Sequence, residues 1–104
     1  MKYQKITKYI EFTLSNDPFF KELSPCKINN GNCEDFAMLL EDNFPKGRMV
    51  WGDEIPEAFT KDYVPDFHSF FEYEEMYFDA ECSKGVNSPM ELPFFKRQHL
   101  LKND

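Results

Sequence analysis

No apolar run in the sequence approaches the roughly 20 residues that a membrane-spanning helix requires. The opening residues, MKYQKITKYIEF, also lack the apolar stretch of a secretory signal. A cytoplasmic protein with no membrane partner is therefore expected. Basic charge is in short supply: 12 Lys and Arg against 19 Asp and Glu give a formal net charge of -7. With no basic stripe, a phosphate backbone would be repelled at long range, so nucleic-acid binding is not expected. Only three cysteines occur, Cys26, Cys33 and Cys82, and none forms a C-x-x-C pair. An odd number without an export signal predicts reduced thiols, at least one of them free. Together with His68 and His99 these cysteines offer tetrahedral ligand chemistry, but none has the short paired spacing of a zinc motif. Neither metal nor cofactor is expected. Repeats and low-complexity tracts are also missing.

What is present is aromatic. Hydrophobic residues make up 41% and aromatics 17% of 104 residues, with 12 Phe. Each large ring buries roughly 150–250 Å², so a core is within reach of a single domain spanning 1–104. A charged fraction of 30% and a mean hydropathy of -0.63 point to a soluble protein. The acids are dispersed, with short clusters at Glu34-Asp35, Glu41-Asp42 and Glu72-Glu74-Glu75. They read as a solubilising surface, or as a face that captures a basic partner or imitates DNA.

Tyr3, Ile6, Ile10 and Leu14 recur at helical spacing and predict an amphipathic helix from Tyr3 to Leu14. A short second helix follows, with Asp17 as N-cap, Pro18 at its first position, and Phe19, Phe20 and Leu23 packing inward. Ser24 to Asn32 reads as loop. The third helix runs from about Cys33 to Phe44, with Asn32 as N-cap and Asp35 completing an approximate capping box. Its buried stripe is Phe36, Leu39, Leu40 and Phe44, flanked by Ala37, and Pro45 closes it. Arg48 to Trp51 suggests a short strand, and the polar stretch from Gly52 to Asp66 a long loop or irregular helix. Phe67–Tyr73 and Met76–Glu81 predict two strands joined by a tight turn. Ser88–Glu91 reads as a capped helical turn, Leu92 to Phe95 as core, and Lys96 to Asp104 as a short helix or frayed tail.

Cys33 falls at the first turn of a helix, where unpaired N–H groups and the macrodipole favour a thiolate. The preceding Asn29-Asn30-Gly31-Asn32 lets backbone approach a bound carbonyl. The Cys33 N–H is one candidate oxyanion donor, and an Asn side chain (Asn29, Asn30 or Asn32) a second. His68 and Asp79 are candidate partners through hairpin parity. A two-residue turn at Glu74-Glu75 pairs Phe70 with Asp79 and His68 with Glu81; a turn at Tyr73-Glu74 pairs His68 with Asp79 directly. Both registers put His68 and Asp79 on one face, and the first lets Glu81 compete as orienting carboxylate. A three-residue loop would separate them. Of the aromatics near these residues, Trp51 is the candidate substrate contact, although Trp51, Phe70 and Tyr77 fit a core better than a substrate platform.

Residues 30–37, Asn-Gly-Asn-Cys-Glu-Asp-Phe-Ala, resemble the G-x-C-x-x-F/W-A opening of the central helix in papain-like and transglutaminase-like cysteine enzymes. His68-Ser69-Phe70-Phe71, followed by Met76-Tyr77-Phe78-Asp79-Ala80-Glu81, resembles their second block, and Gly85-Val86 fits small phage and bacterial members. The order Cys, His, Asp agrees over roughly residues 29–95. The chain departs in its size and in carrying Lys27 where papain has a glutamine six residues before the nucleophile. The resemblance implies an α+β papain-like core, with N-terminal helices and a central nucleophile helix packed on a small antiparallel β-sheet. It also implies acyl transfer, with Cys33 as nucleophile, His68 as general base and Asp79 orienting the histidine. The partner would be a protein or peptide substrate, and the enzyme a peptidase, an amidase or deamidase, or a transglutaminase. The competing expectation is a catalytically inactive acidic protein, of phage origin, that binds and inhibits a host factor.

Overall fold

The structure is a computed structural model and describes residues 3–55 and 68–97. Helix α1, Gln4–Asn16, buries Ile6 and Ile10 of the expected stripe together with Thr13, while Tyr3 and Leu14 are only half-buried. It stops at Asp17, whose Oδ1 accepts hydrogen bonds from the N–H groups of Phe19 (2.9 Å) and Phe20 (3.1 Å). The expected second helix is reduced to one 3₁₀ turn, Phe20–Glu22. So short a turn aims one ring at the core: Phe20 is buried, while Phe19 is 53% exposed, contrary to expectation, with its ring edge-on to Phe20.

Ser24 to Asn32, expected as loop, instead contains helix α2, Pro25–Asn29. Ser24 Oγ accepts from the Lys27 N–H at 3.3 Å, and Pro25 arrives with its φ already suited to a first helical position. The nearly inaccessible Ile28 and Asn29 anchor it. Helix α3, Cys33–Asn43, buries Cys33, Phe36, Ala37 and Leu40. Leu39 and Phe44 of its expected stripe are only half-buried. Asn32 occupies the N-cap position, but its side chain makes no capping bond and no capping box forms with Asp35. With ψ at 19° its backbone is not in the extended conformation that a capping side chain needs. Its backbone closes the corner instead, its N–H bonding Ile28 C=O and its C=O accepting from Phe36 N–H.

Four antiparallel strands follow in the order β1-β2-β3-β4: Arg48–Trp51, Ser69–Tyr73, Met76–Asp79 and Cys82–Val86. The β2–β3 turn is Glu74-Glu75, with φ of 48° and 71°, so Tyr73 faces Met76 and Phe71 faces Phe78. This is the left-handed two-residue turn that matches strand twist, made here without Asn or Gly. Strand β3 ends at Asp79 rather than Glu81, because Ala80-Glu81 reverses the chain into β4, where Asp79 faces Cys82. A strand at 82–86 is not expected from the sequence, since Lys84 and Gly85 are poor strand formers and pairing alone recruits them. Gly85, at φ +81°, fits where a Cβ would come within 2.6 Å of the Phe78 ring.

The sheet is apolar on both faces. Phe71 and Phe78 pack with Ile6, Ile10, Ile28, Phe36 and Leu40 on the helical side. On the other, Val50 and Phe70 meet Ile55, Leu92, Phe94 and Phe95. Full burial of each such side chain contributes about 1.5–3 kcal/mol. Ser88 caps the turn Pro89–Glu91 as expected, and residues 93–97 are helical, carrying Phe94 and Phe95 onto the sheet. Of the expected Gly52–Asp66 loop, Gly52–Glu54 form a 3₁₀ turn. Residues 56–67 lie outside the described residues, as do 98–104 with His99. The chain is thus α+β. Among the described residues no helix is long and apolar enough to cross a membrane.

A candidate active site around Cys33

The β2–β3 register brings His68 and Asp79 together. The paired register ends with Phe71 opposite Phe78; one step further along each strand come Phe70 and Asp79, and alternation puts His68, two residues before Phe70, on their side of the sheet. The two meet on the diagonal: His68 Nε2 lies 2.9 Å from Asp79 Oδ2, with both side chains essentially inaccessible. The other carboxylate oxygen, Oδ1, accepts the Glu81 N–H at 2.9 Å, so the turn after β3 fixes the carboxylate at both atoms. The His68 C=O accepts the Gly52 N–H, and Phe94 stacks on the imidazole at 4.2 Å between centroids, with Phe95 edge-on. Ring and carboxylate are therefore held from three directions.

Helix α3 supplies the sulfur. Cys33 is 7% exposed and its Sγ accepts the Ser69 N–H at 3.4 Å, tying the helix start to the residue after His68. His68 Nδ1 is buried and, with Nε2 committed to Asp79, makes no hydrogen bond of ordinary geometry. The Cys33 sulfur is near enough for thiol and ring to influence each other's ionisation. Burial by itself would push the Cys33 thiol up, but hydrogen bonds from His68 and the Ser69 N–H, and the charge of His68, outweigh it and lower the pKa. Burial likewise opposes a charged imidazole. Hydrogen bonds with Asp79 and Cys33, with their charges, prevail and raise His68. Both shifts favour a thiolate–imidazolium pair.

Glu81, the competing orienter, is engaged elsewhere. It accepts two hydrogen bonds from Arg97, at 2.7 and 2.8 Å, and one from Asn29 Nδ2 at 2.8 Å. Asn29 is buried and lines the gap around the sulfur with Cys33, Ser69 and Asp79, while its Nδ2 donates to Glu81. Asn30 is not brought there: it is exposed, and its Nδ2 bonds the Cys26 C=O at 2.8 Å within its own helical turn. Asn32 is half-buried at the helix start and does not line that gap. Trp51 sits opposite Ser69 in the ladder, half-buried, and is not among the gap's lining residues either. Sequence reasoning missed Ser69 and Arg97. Nothing in their spacing signals either role, which depends on the register and on the helical turn at 93–97.

The gap has an empty volume of about 150 Å³, none of it wide enough for a water molecule. As it stands the site holds a thiol of lowered pKa under cover, with an imidazole of raised pKa nearby. The other two thiols differ: Cys26 is exposed, and burial together with the Asp79 charge pushes Cys82 up. Among the described residues no group of three or more His, Cys, Asp or Glu is placed to hold a metal ion. Compared with family models, with curated proteins and with solved structures, the chain matches none.

Proposed function

We propose that the protein is a small cysteine-dependent acyl-transfer enzyme of the papain-like or transglutaminase-like kind. The observation that carries the reading is the buried 2.9 Å His68–Asp79 contact beside a helix-start thiol whose pKa is lowered. The Cys33 thiolate attacks an amide or ester carbonyl and forms a C–S bond, while the oxyanion turns toward the Cys33 N–H and Asn29. His68, held by Asp79, gives its proton to the departing amine or alcohol as the carbonyl's bond to it breaks. Water, or an amine, then attacks the thioester, His68 takes its proton, and Cys33 leaves as thiolate. Water makes the enzyme a peptidase, amidase or deamidase; an amine makes it a transglutaminase. A peptide or protein is the substrate class that this chemistry suits.

A second reading is favoured by one observation, the closure of the gap around the sulfur. On it the protein binds a partner without turnover, and the three residues are a structural remnant. A small activated ester, p-nitrophenyl acetate, separates the two because it asks little of the cover. The enzyme reading expects acetylation at Cys33, followed by loss of the acetyl group over time, and neither step in His68→Ala. Mass spectrometry that finds Cys26 acetylated as fast as Cys33, with His68→Ala unchanged, would overturn it.

A further inference from the structure

Helix α3 buries one face and displays another. Asp35, Met38, Leu39 and Asp42 follow one another at helical spacing on the side away from Phe36 and Leu40. Together with Asp17, Phe19 and Phe20 they line an open groove of about 830 Å³. Its floor is apolar and accessible: Phe19 is 53% and Met38 45% exposed, two of the three large hydrophobics that stand in water among the described residues. Phe19 is nonetheless fixed, edge-on to Phe20, which in turn stands edge-on to Phe36 in the core. The rim is acidic at Asp17, Asp35 and Asp42, and among the described residues neither Asp35 nor Asp42 is held by a salt bridge.

From this we infer that the groove is a docking site for a cationic amphipathic helix of a partner protein. The charge pattern selects the occupant. Asp35 and Asp42 are two turns apart, about 10.5 Å along the axis at 1.5 Å per residue. A partner helix with basic residues two turns apart, and Leu or Phe between them, meets both acids while its apolar side chains reach Met38 and Phe19. Met38 adds an adaptable thioether to the contact. A polyanion or a neutral apolar surface would leave the three carboxylates opposed or stripped of water, which is costly. The site is separate from the Cys33 chemistry and does not rest on it.

The test uses the full chain and a fluorescein-labelled helical peptide with Lys at positions i and i+7 and Leu at i+3 and i+4. A scrambled peptide of identical composition is the control, and anisotropy the readout. The patterned peptide is expected to bind at least about tenfold tighter than the scramble, since two charge pairs and an anchor are at stake. Binding should weaken as salt rises, because rim charges are screened. The double variant D35N/D42N and the single Met38→Ser should each weaken it, and Cys33→Ala should bind as the unaltered chain does. These substitutions fall on exposed positions, so each variant should keep its fold, checked by circular dichroism. Equal binding of patterned and scrambled peptides, equal binding by D35N/D42N, or no binding at all would each overturn the inference.

Discussion

Replacing Asp79 by Asn tests the site without changing its shape. The substitution keeps size and one acceptor oxygen but removes the charge that faces His68 Nε2 at 2.9 Å. At an effective dielectric of about 20, that separation corresponds to a gross attraction of roughly 6 kcal/mol. Burial of both side chains works against it. What survives should be near the net value of a hydrogen bond to a charged group, about 1.5–3 kcal/mol. His68 should then lose its proton at a lower pH in the variant than in the unaltered chain. The direction follows from the structure: Asp79 helps to raise His68, so its removal must let the value fall.

Imidazole resonances read this directly, the two histidines of the chain being told apart with His99→Gln. The Cys33 thiol should respond in the opposite sense, since a less charged ring supports its thiolate less. Its pKa, read from the pH dependence of alkylation, should rise. Glu81→Gln is the matched control. Glu81 bonds Arg97 and Asn29 rather than the ring, so His68 should move much less. If Asp79→Asn leaves the His68 titration where it was, or Glu81→Gln moves it as far, the assignment of Asp79 as the orienting group is wrong.

The pH window of the charged pair has a definite sign. Cys33 ionises below the ordinary 9.0 and His68 holds its proton above the ordinary 6.5, so alkylation of Cys33 should reach a plateau at a pH where Cys82, pushed upward, is still inert. Peptide mapping after iodoacetamide treatment at stepped pH checks this by the shape of each profile, since the cover over Cys33 slows its absolute rate. In stability terms the His68 contribution is complete below 6.5 and lost as pH rises through the raised value; that of Cys33 is complete above 9.0 and lost as pH falls through the lowered one. Gly85→Ala should destabilise by about 1–3 kcal/mol in urea unfolding, because a Cβ there meets the Phe78 ring at 2.6 Å on a backbone at φ +81°. Glu75→Gly, at φ 71° in the β2–β3 turn, should stabilise the chain by up to about 1 kcal/mol in the same assay.

Periodicity made the long elements legible. Helices α1 and α3 show in the recurrence of Ile6 and Ile10, and of Phe36 and Leu40, because burial of one face is a repeating demand that a single sequence records. The failures are local. The turn at Ser24-Pro25 announces a helix start, but five residues offer no stripe to confirm it. Strand β4 is held by neighbours rather than by its own residues, so Lys84 and Gly85 conceal it. Asn32 looked like a cap by type, and its dihedral angles decided otherwise. Asn30 and Asn29 are indistinguishable in the sequence; one helical turn sends the first to solvent and buries the second in the lining of the gap around Cys33.

The pairing of His68 with Asp79 was legible for a different reason. Side chains alternate along a strand, so a turn of even length places two chosen residues on one face whatever its chemistry. Glu74-Glu75 satisfies that condition with residues that dislike positive φ, at a cost near 1 kcal/mol each. A Gly or Asn would have avoided the strain, and a third residue would have relieved it while moving His68 to the opposite face. The register is therefore held by the apolar pairs on either side, Phe71 with Phe78 above all, and not by the turn. Enlarging the loop by one residue sets these two demands against each other. Either the Phe pairs slip and the core opens, or a bulge absorbs the insertion and the site survives. Retention of the shifted His68 titration in a stably folded insertion variant would mean that the hydrophobic faces, not the turn length, position the imidazole.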